Sequence, residues 1–402
     1  MKVLLINNFF YRKGGSETVF FNTARLLEQA GHQVCYFSVA RKENISSPFS
    51  KYFISDTGKA SKIKGLLFYF YNKEAATKLE QLILIERPDI AHSHLMWGCT
   101  APAIFKVLKK YRIPLVHSVH DYRMVCPAYT FTSGGSICED CKGKHFYKCA
   151  AKRCSKGSLL MSTVMAAEMY YRSAFFNPTK NIKGLIYVSN FAKGIHEKYN
   201  PGFKKMPSIV LYNCTQKQDV GEKVRNDYYL YYGRLSHEKG VEKVITAFKQ
   251  LPQAKLKIVG TGPIEKDLIQ DAKGANNIEF LGFKSGDELH QLVQGAQFVI
   301  VPSQWYENNP MTIVESYSFG TPVIGSDLGG IPEIIEDGET GYVFNHNNLD
   351  SLIVAVKRSE GLDDEEYRRM SDSAASFYQN YFSEDNYADK LIEFYNSVLK
   401  KN

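Results

Sequence analysis

Two carboxylates, Glu307 and Glu315, are separated by seven residues within VPSQWYENNPMTIVESYSFGTPVIGSDLGG, residues 301–330. The apolar run 298–302 reads as a buried strand. Asn309 then falls where a helix N-cap belongs, with Pro310 first in the helix. That helix should reach about residue 319 and stop at Gly320, and residues 321–326 form the next strand. Glu307 therefore precedes the helix and Glu315 lies inside it. A helix start presents unpaired N–H groups and the positive end of a dipole, which suit a phosphate or sugar hydroxyls. Two carboxylates beside it can bind the hydroxyls of a polar ligand. A plain strand–helix–strand unit with two solvated glutamates would carry the same letters.

A second constellation is Gly233-Arg234-Leu235-Ser236-His237-Glu238-Lys239-Gly240, between a strand at 228–233 and a helix. Val241, Val244, Ile245, Phe248 and Leu251 give that helix its apolar face. Arginine as a fork and lysine as a point charge suit a diphosphate, although two basic loop residues in solvent fit equally. Earlier in the chain, His92 and His94 end one strand-like run (89–94). His117, His120 and Asp121 end another (115–121). Side chains at such strand ends face the ligand crevice of an α/β sheet, and His120-Asp121 is the strongest pair. A single histidine there is often only a surface residue.

Five cysteines follow, Cys126-x11-Cys138-x2-Cys141-x7-Cys149-x4-Cys154. A Cys-x2-Cys pair can hold zinc, and two further thiolates close a tetrahedron. The segment is rich in Gly and Lys and poor in apolar residues, so a structural metal would supply what burial cannot. Free thiols in a loop are the alternative. A disulfide framework is not expected in a reducing compartment.

The elements that must position these groups alternate strand and helix. Residues 2–7 form a continuous apolar strand. A loop ending in Gly14-Gly15 follows, then a helix capped by Ser16, then a strand at 34–39: the βαβ opening of a doubly wound sheet. Gly14 and Gly15 lie at its ligand end or merely make a tight turn. Helices are expected at 158–176 and 190–199 around a strand at 184–189. Residues 201–207 carry Pro, Gly and Lys and mark a linker. Later strands at 255–259 and 278–283 end in Gly260-Thr261-Gly262 and Gly282. Gly329-Gly330-Ile331-Pro332-Glu333 should open another helix, followed by a strand at 341–344. Helices are expected at 349–359, 363–381 and 384–399. Residues 59–71 mix lysines and aromatics, as a membrane-interface segment does; a helix packed on the core with its lysines in solvent reads the same.

The chain of 402 residues has a formal charge of +8 and 44% apolar residues, enough for two or three cored domains. That charge fits nucleotides or membrane phosphates, and no nucleic-acid partner is expected. No run is apolar and long enough to span a bilayer. The first ten residues read as a strand rather than a signal peptide, which places the protein in the cytoplasm.

Taken together, the second half resembles the family 4 (GT4) glycosyltransferases, retaining enzymes of the GT-B fold. The matching residues are Gly233-Arg234 with Lys239-Gly240, Gly260-Thr261-Gly262, Glu307-x7-Glu315, and Gly320-Thr321-Pro322-Val323-Ile324 leading to Gly329-Gly330 and Glu333. In the first half the resemblance rests on Gly14-Gly15 and His120-Asp121. It implies an α/β fold of two Rossmann-like doubly wound domains facing a cleft. The domains would be 1–203, with a Cys-rich insertion at 126–154, and 204–383, and a helix at 384–402 would pack back on the first.

The resemblance also implies roles. Arg234 and Lys239 would hold the donor diphosphate, Glu307 would face the sugar and Glu315 would bind the ribose. Backbone from Asn308, Asn309, Pro310 and Met311 would contact sugar or phosphate. His120 would touch the transferred sugar, and Gly14 and Gly15 would let backbone approach the donor. Gly233, Gly260, Gly262 and Gly282 would line the nucleotide. The family often has Glu-Gly or Glu-Phe-Gly at the first glutamate. Here it is Glu307-Asn308-Asn309, which suggests a different hexose. The insertion is similar to one in a bacterial subset whose pattern matches Cys126, Cys138, Cys141 and Cys154, leaving Cys149 over as an alternative ligand.

The expected activity is sugar transfer from a nucleotide-diphosphate sugar to a hydroxyl of a glycan acceptor. No cofactor is needed beyond a structural zinc. The acceptor would be lipid-linked and met at the cytoplasmic membrane surface, near residues 62–71. A sugar-nucleotide or glycan-binding subunit without turnover, or a GT-B phosphorylase or epimerase, would keep the same cleft.

Overall fold

The computed structural model describes residues 1–56, 62–218 and 225–400. Two compact units emerge. The first comprises Met1–Ser133, Cys138–Tyr212 and the chain from Tyr387 onward; the second comprises Gly134–Ile137 and Asn213–Asn386.

The first unit opens with β1 (Lys2–Ile6), α1 (Gly15–Gln29) and β2 (Gln33–Phe37). Val3, Leu4, Leu5 and Ile6 are fully buried, as a strand covered on both faces requires. Next come α2 (Lys62–Phe70), α3 (Lys73–Glu86), β3 (Ile90–Ser93), α4 (Ala103–Lys110) and β4 (Leu115–Val119). The cysteine-rich insertion holds the short β5 (Thr132–Ser133), β6 (Ser136–Ile137) and α5 (Tyr147–Ala151). After it run α6 (Leu159–Phe175), α7 (Pro178–Asn181), β7 (Gly184–Tyr187), α8 (Asn190–Tyr199) and β8 (Ser208–Val210). The sheet order is β2-β1-β3-β4-β7-β8, with every pair parallel.

The second unit contains β9 (Tyr229–Tyr232), α9 (Val241–Lys249), β10 (Leu256–Val259), α10 (Glu265–Asp271), β11 (Ile278–Gly282) and α11 (Asp287–Gly295). It continues through β12 (Phe298–Val301), α12 (Met311–Ser318), β13 (Val323–Ser326), β14 (Gly341–Phe344), α13 (Leu349–Glu360) and α14 (Asp364–Phe377). Its sheet order, β11-β10-β9-β12-β13-β14, is parallel throughout. Val244, Ile245 and Phe248, on the α9 face read from the 3.6-residue period, are fully buried in one core with Phe298 of β12 and Ile324 of β13. Helix α15 (Glu384–Leu399) crosses back. Its Tyr387 hydroxyl bonds Thr23 at 2.9 Å and its Tyr395 hydroxyl bonds His92 at 2.6 Å, all within the first unit.

Four sequence expectations need correction. Ser16 does not cap α1: Gly14 is the N-cap, and Ser16 bonds Glu17 instead. Asn309 does not cap α12 either. Pro310 holds that position, and Asn309 Oδ1 accepts from the Asn213 amide at 2.7 Å. Residues 201–207 are no linker, because Phe203 is fully buried and β8 pairs with β7, which carries the first unit on to Tyr212. Residues 329–335 form turns rather than a helix. The cause is a close approach: Gly329 has φ +64 and a Cβ there would stand 2.1 Å from the Glu307 carbonyl oxygen. Lys59, Ala60 and Ser61, the start of the basic-aromatic stretch, lie outside the described residues.

Candidate active site

Strands β9 and β12 are neighbours, and the strand order of the second sheet reverses between them. Loops leaving the carboxyl ends of such a pair diverge and open a crevice. The loop after β9 carries Arg234 and Lys239; the loop after β12 carries Glu307, Asn308 and Asn309.

The two loops meet in one ion pair. Lys239 Nζ lies 2.6 Å from Glu307 Oε1, with the side chains 30% and 10% exposed. Ser303 Oγ and Trp305 Nε1 donate to the same oxygen at 2.8 and 2.7 Å. Burial raises the pKa of this carboxyl. The Lys239 charge and the three hydrogen bonds outweigh that and hold it below its ordinary value. All three donors converge on Oε1. The ammonium also lies 5.4 Å from the Trp305 ring centre. Arg234 is brought to neither glutamate: it is exposed on the same loop, and its carbonyl accepts from Tyr231 at 2.9 Å.

Glu315 lies on α12 in a different environment. Burial pushes its carboxyl up to about 7, opposed only by the Tyr232 hydroxyl, which donates to Oε2 at 3.4 Å. One glutamate is thus held ionised and the other is poised near neutrality. Between them α12 begins at Met311, and its first N–H groups have no partner inside the helix. Asn213 Nδ2 fixes the preceding turn by donating to the Asn309 carbonyl at 2.9 Å.

The glycine loops close the far side. Gly260 N donates to the Gly282 carbonyl at 2.8 Å, and Gly233 N to Val259 at 3.0 Å. A Cβ on Gly260 would stand 1.9 Å from the Gly233 carbonyl oxygen, so no larger residue fits there. A Cβ on Gly262 would meet the Leu235 carbonyl oxygen at 2.0 Å.

In the first unit the order reverses between β1 and β3. Gly14 and Gly15 open α1 there, exposed. Gly14 is extended, and a Cβ on it would have only Glu17 Oε2 nearby, at 3.7 Å. A tight turn is therefore not what it serves.

His92, His94 and His117 are interior groups, at most 3% exposed, whereas His120 is half-buried. Both nitrogens of His92 are occupied, by Ser118 and Tyr395. His117 bonds Ser93. His94 Nδ1 and His120 Nε2 lie 2.9 Å apart, their rings stacked. Burial lowers His117 to about 3 and His120 to about 4, so both are neutral. It raises the neighbouring Asp121 to about 6.

The cysteines expected to hold zinc, Cys126, Cys138, Cys141 and Cys154, with Cys149 as the alternative, are gathered in the insertion: Cys141 feels the charges of Cys126, Cys154 and Cys138, and Cys149 those of Cys154, Cys141 and Cys126. Among the described residues, no group of three or more His, Cys, Asp or Glu side chains is placed to hold a metal ion. All eight cysteines are free. Cys138 accepts from Lys152 Nζ at 3.6 Å, and burial raises Cys126 to about 11 and Cys141 to about 12. The insertion has an apolar anchor that its composition conceals. Phe131 packs edge-on against Tyr122 and Tyr199 at 4.9 and 5.0 Å, and Phe146 against Tyr170 at 5.2 Å.

Sequence reading missed Ser303, Trp305, Tyr232 and Asn213. A tryptophan two residues before Glu307, one of two in the chain, was the available signal; the others need the fold to reveal them.

Two family models match this chain. The one for glycosyltransferase family 4 spans residues 13–215, and the one for group 1 glycosyl transferases spans 214–377. The chain is similar to an uncharacterized 42.6 kDa protein in the cps region of Klebsiella pneumoniae. That relative is 26% identical over 355 residues, covering 83% of this chain and 87% of the relative. A lipopolysaccharide 1,2-N-acetylglucosaminetransferase of Salmonella typhimurium is 34% identical over 239 residues, covering 52% of this chain and 61% of that protein. Among solved structures, Anabaena Alr3699/HepE in complex with UDP and glucose is alike in fold, with a TM-score of 0.67 at 17% identity over 99% of this chain and all of that one.

Proposed function

From a chain that belongs to glycosyltransferase family 4, with the GT-B α/β fold, we propose a specific reaction. It moves a sugar from a nucleoside-diphosphate sugar to a glycan hydroxyl, with retention at the anomeric carbon. The observation that supports this most is the Lys239–Glu307 pair at the point where the second sheet reverses its order.

In the proposed step the bond from the anomeric carbon to the phosphate oxygen breaks. The acceptor oxygen bonds that carbon from the same face, and its proton passes to the departing phosphate. Negative charge grows on the diphosphate. Lys239, Arg234 and the first N–H groups of α12 are assigned to stabilise it, a preorganised arrangement that needs no reorganisation during reaction. Glu307 holds Lys239 in place through Oε1 and offers Oε2 to a sugar hydroxyl. Glu315, once ionised, accepts from the ribose diol. Gly260, Gly262 and Gly282 leave room for the base. His120, with Gly14 and Gly15, is the contribution assigned to the first unit.

The acceptor is proposed to be lipid-linked and met at the cytoplasmic face of a membrane. In support, Leu66 and Leu67 of α2 are 43% and 64% exposed. No helix among the described residues is long and apolar enough to cross a membrane, so the contact would be peripheral.

Radiolabelled sugar transfer tests the site. Lys239→Ala and Glu307→Gln should each lose roughly a thousandfold in rate, as expected for a charge contact made in the transition state. Wild-type rates in both variants would remove the assignment.

A further inference from the structure

Helix α6 inverts the usual amphipathic pattern. Its sequence, LLMSTVMAAEMYYRSAF, holds two charged residues, Glu168 and Arg172. Both point inward. Arg172 Nε lies 3.1 Å from Glu168 Oε1, with side chains 2% and 4% exposed. Arg172 Nη2 donates to the Arg123 carbonyl at 2.8 Å, and the guanidinium lies 4.0 Å from the Trp97 ring centre.

The solvent side of α6 therefore has no charge along its length. Leu159 is 52% exposed, Leu160 72%, Met161 47%, Tyr170 43% and Phe175 72%. Surface helices normally place charges outward and leucines inward. Seventeen residues make this face about 25 Å long. It continues onto α2, where Phe70 meets Tyr171 at 5.5 Å and Tyr171 meets Phe175 at 5.3 Å. Leu66 and Leu67 extend it.

The flank of this face is basic. Residues 142–156, leading into α6, hold six lysines and arginines and no acidic residue. Lys142, Lys144, Lys152, Arg153 and Lys156 are exposed. Among the described residues, only Lys152 of these makes an ion pair, with Asp140. An uncharged apolar strip beside a cationic flank matches a bilayer interface in both its layers: acyl boundary for the strip, anionic headgroups for the flank.

We propose that the outward face of α6, with the end of α2, docks on a lipid bilayer bearing anionic headgroups. This deepens the lipid-linked acceptor reading and rests on it for purpose, but not for geometry. Leu160 and Phe175 enter the headgroup–acyl boundary, and Lys152, Arg153 and Lys156 lie on the phosphates.

Co-sedimentation of the full chain with vesicles tests this. Binding to phosphatidylcholine containing about 30% phosphatidylglycerol should exceed binding to phosphatidylcholine alone by roughly tenfold, and high salt should weaken it. The double variant Leu160→Glu/Phe175→Glu should lose roughly tenfold of that binding, while keeping its melting temperature and its rate on a water-soluble acceptor. Lys152→Glu/Arg153→Glu/Lys156→Glu should lose the anionic preference.

No binding to the anionic vesicles, or equal binding by Leu160→Glu/Phe175→Glu, overturns the proposal. So does sedimentation showing a dimer that this variant dissociates, because the face would then belong to a second copy. The two readings fail separately: vesicle binding without transfer from any nucleotide sugar sinks the reaction, and transfer without vesicle binding sinks the docking face.

Discussion

Glu307 and Glu315 are one residue type placed in two electrostatic settings eight positions apart. Lys239 and two neutral donors hold Glu307 ionised, whereas burial carries Glu315 to about 7. The ribose contact proposed for Glu315 needs its ionised form as an acceptor. At about pH 6 that form is roughly a tenth of the population, and at about pH 8 roughly nine-tenths. Nucleoside-diphosphate affinity should therefore rise several-fold between those pH values and be flat in Glu315→Gln; titration calorimetry at both ends checks it. For the empty protein the sign is opposite. The native state holds this proton more tightly than the unfolded chain, so this contribution to stability falls as pH rises from about 4.5 to about 7. His94 gives a second residue-scale prediction. Its Nε2 is buried without a partner, and a bare acceptor nitrogen costs less there than an orphaned N–H. Nδ1–H of His94 should then donate to His120 Nε2, making Nδ1 of His120 the protonated nitrogen. Nitrogen-15 shifts of labelled histidine should show this tautomer; a proton on His120 Nε2 would contradict it.

At the scale of elements, the site depends on loops pinned by close backbone approach. Gly329 touches the Glu307 backbone, and Gly330 N donates to the Glu307 carbonyl at 2.7 Å. Gly329→Ala forces both a left-handed backbone and a clash, so activity should fall even where the variant folds. Thermal unfolding beside transfer assays separates the two effects. Helix α14 is secured by a capping box, with Asp363 accepting from Glu365 and Glu366 and Glu366 returning to the Asp363 amide. Asp363→Ala should cost about 1 kcal/mol in denaturant unfolding and leave sugar transfer unchanged. In α6, Glu168→Ala leaves Arg172 buried without its ion-pair partner, so it should cost about 3–5 kcal/mol. That is far more than an exposed pair such as Lys255–Asp227 would.

At the scale of the molecule, each unit has its own parallel sheet, and the groups proposed to bind the donor lie on the second. A ligand that binds only the folded state adds about 2.7 kcal/mol at a hundredfold excess over Kd. Nucleotide sugars should therefore shift a melting transition assigned to the second unit more than one assigned to the first, and a thermal panel would identify the base and sugar. Side-chain cations and helix N–H groups are proposed to carry the phosphate charge, so transfer should survive chelation of divalent ions. Abolition by chelator, restored by magnesium, would contradict that assignment.

Much of this was present in the letters. Continuous apolar runs gave the parallel strands, the 3.6-residue period gave α9 and its buried face, and the letters around Lys239 and Glu307 marked the two loops that meet where the second sheet reverses its order. These signals are local, set by a few residues and their backbone preferences. The tertiary structure decided what depends on distant chain. It pairs Lys239 with Glu307 across 68 positions, which no spacing rule predicts. It turns Asn309 from a helix cap into a bond with Asn213, and residues 201–207 from linker into the approach to a strand. It buries His92, His94 and His117 and anchors the cysteine insertion with aromatic rings. Burial and charge proximity belong to the folded surface, so the pKa values of Glu307 and Glu315, two identical letters, diverge only once the chain has closed.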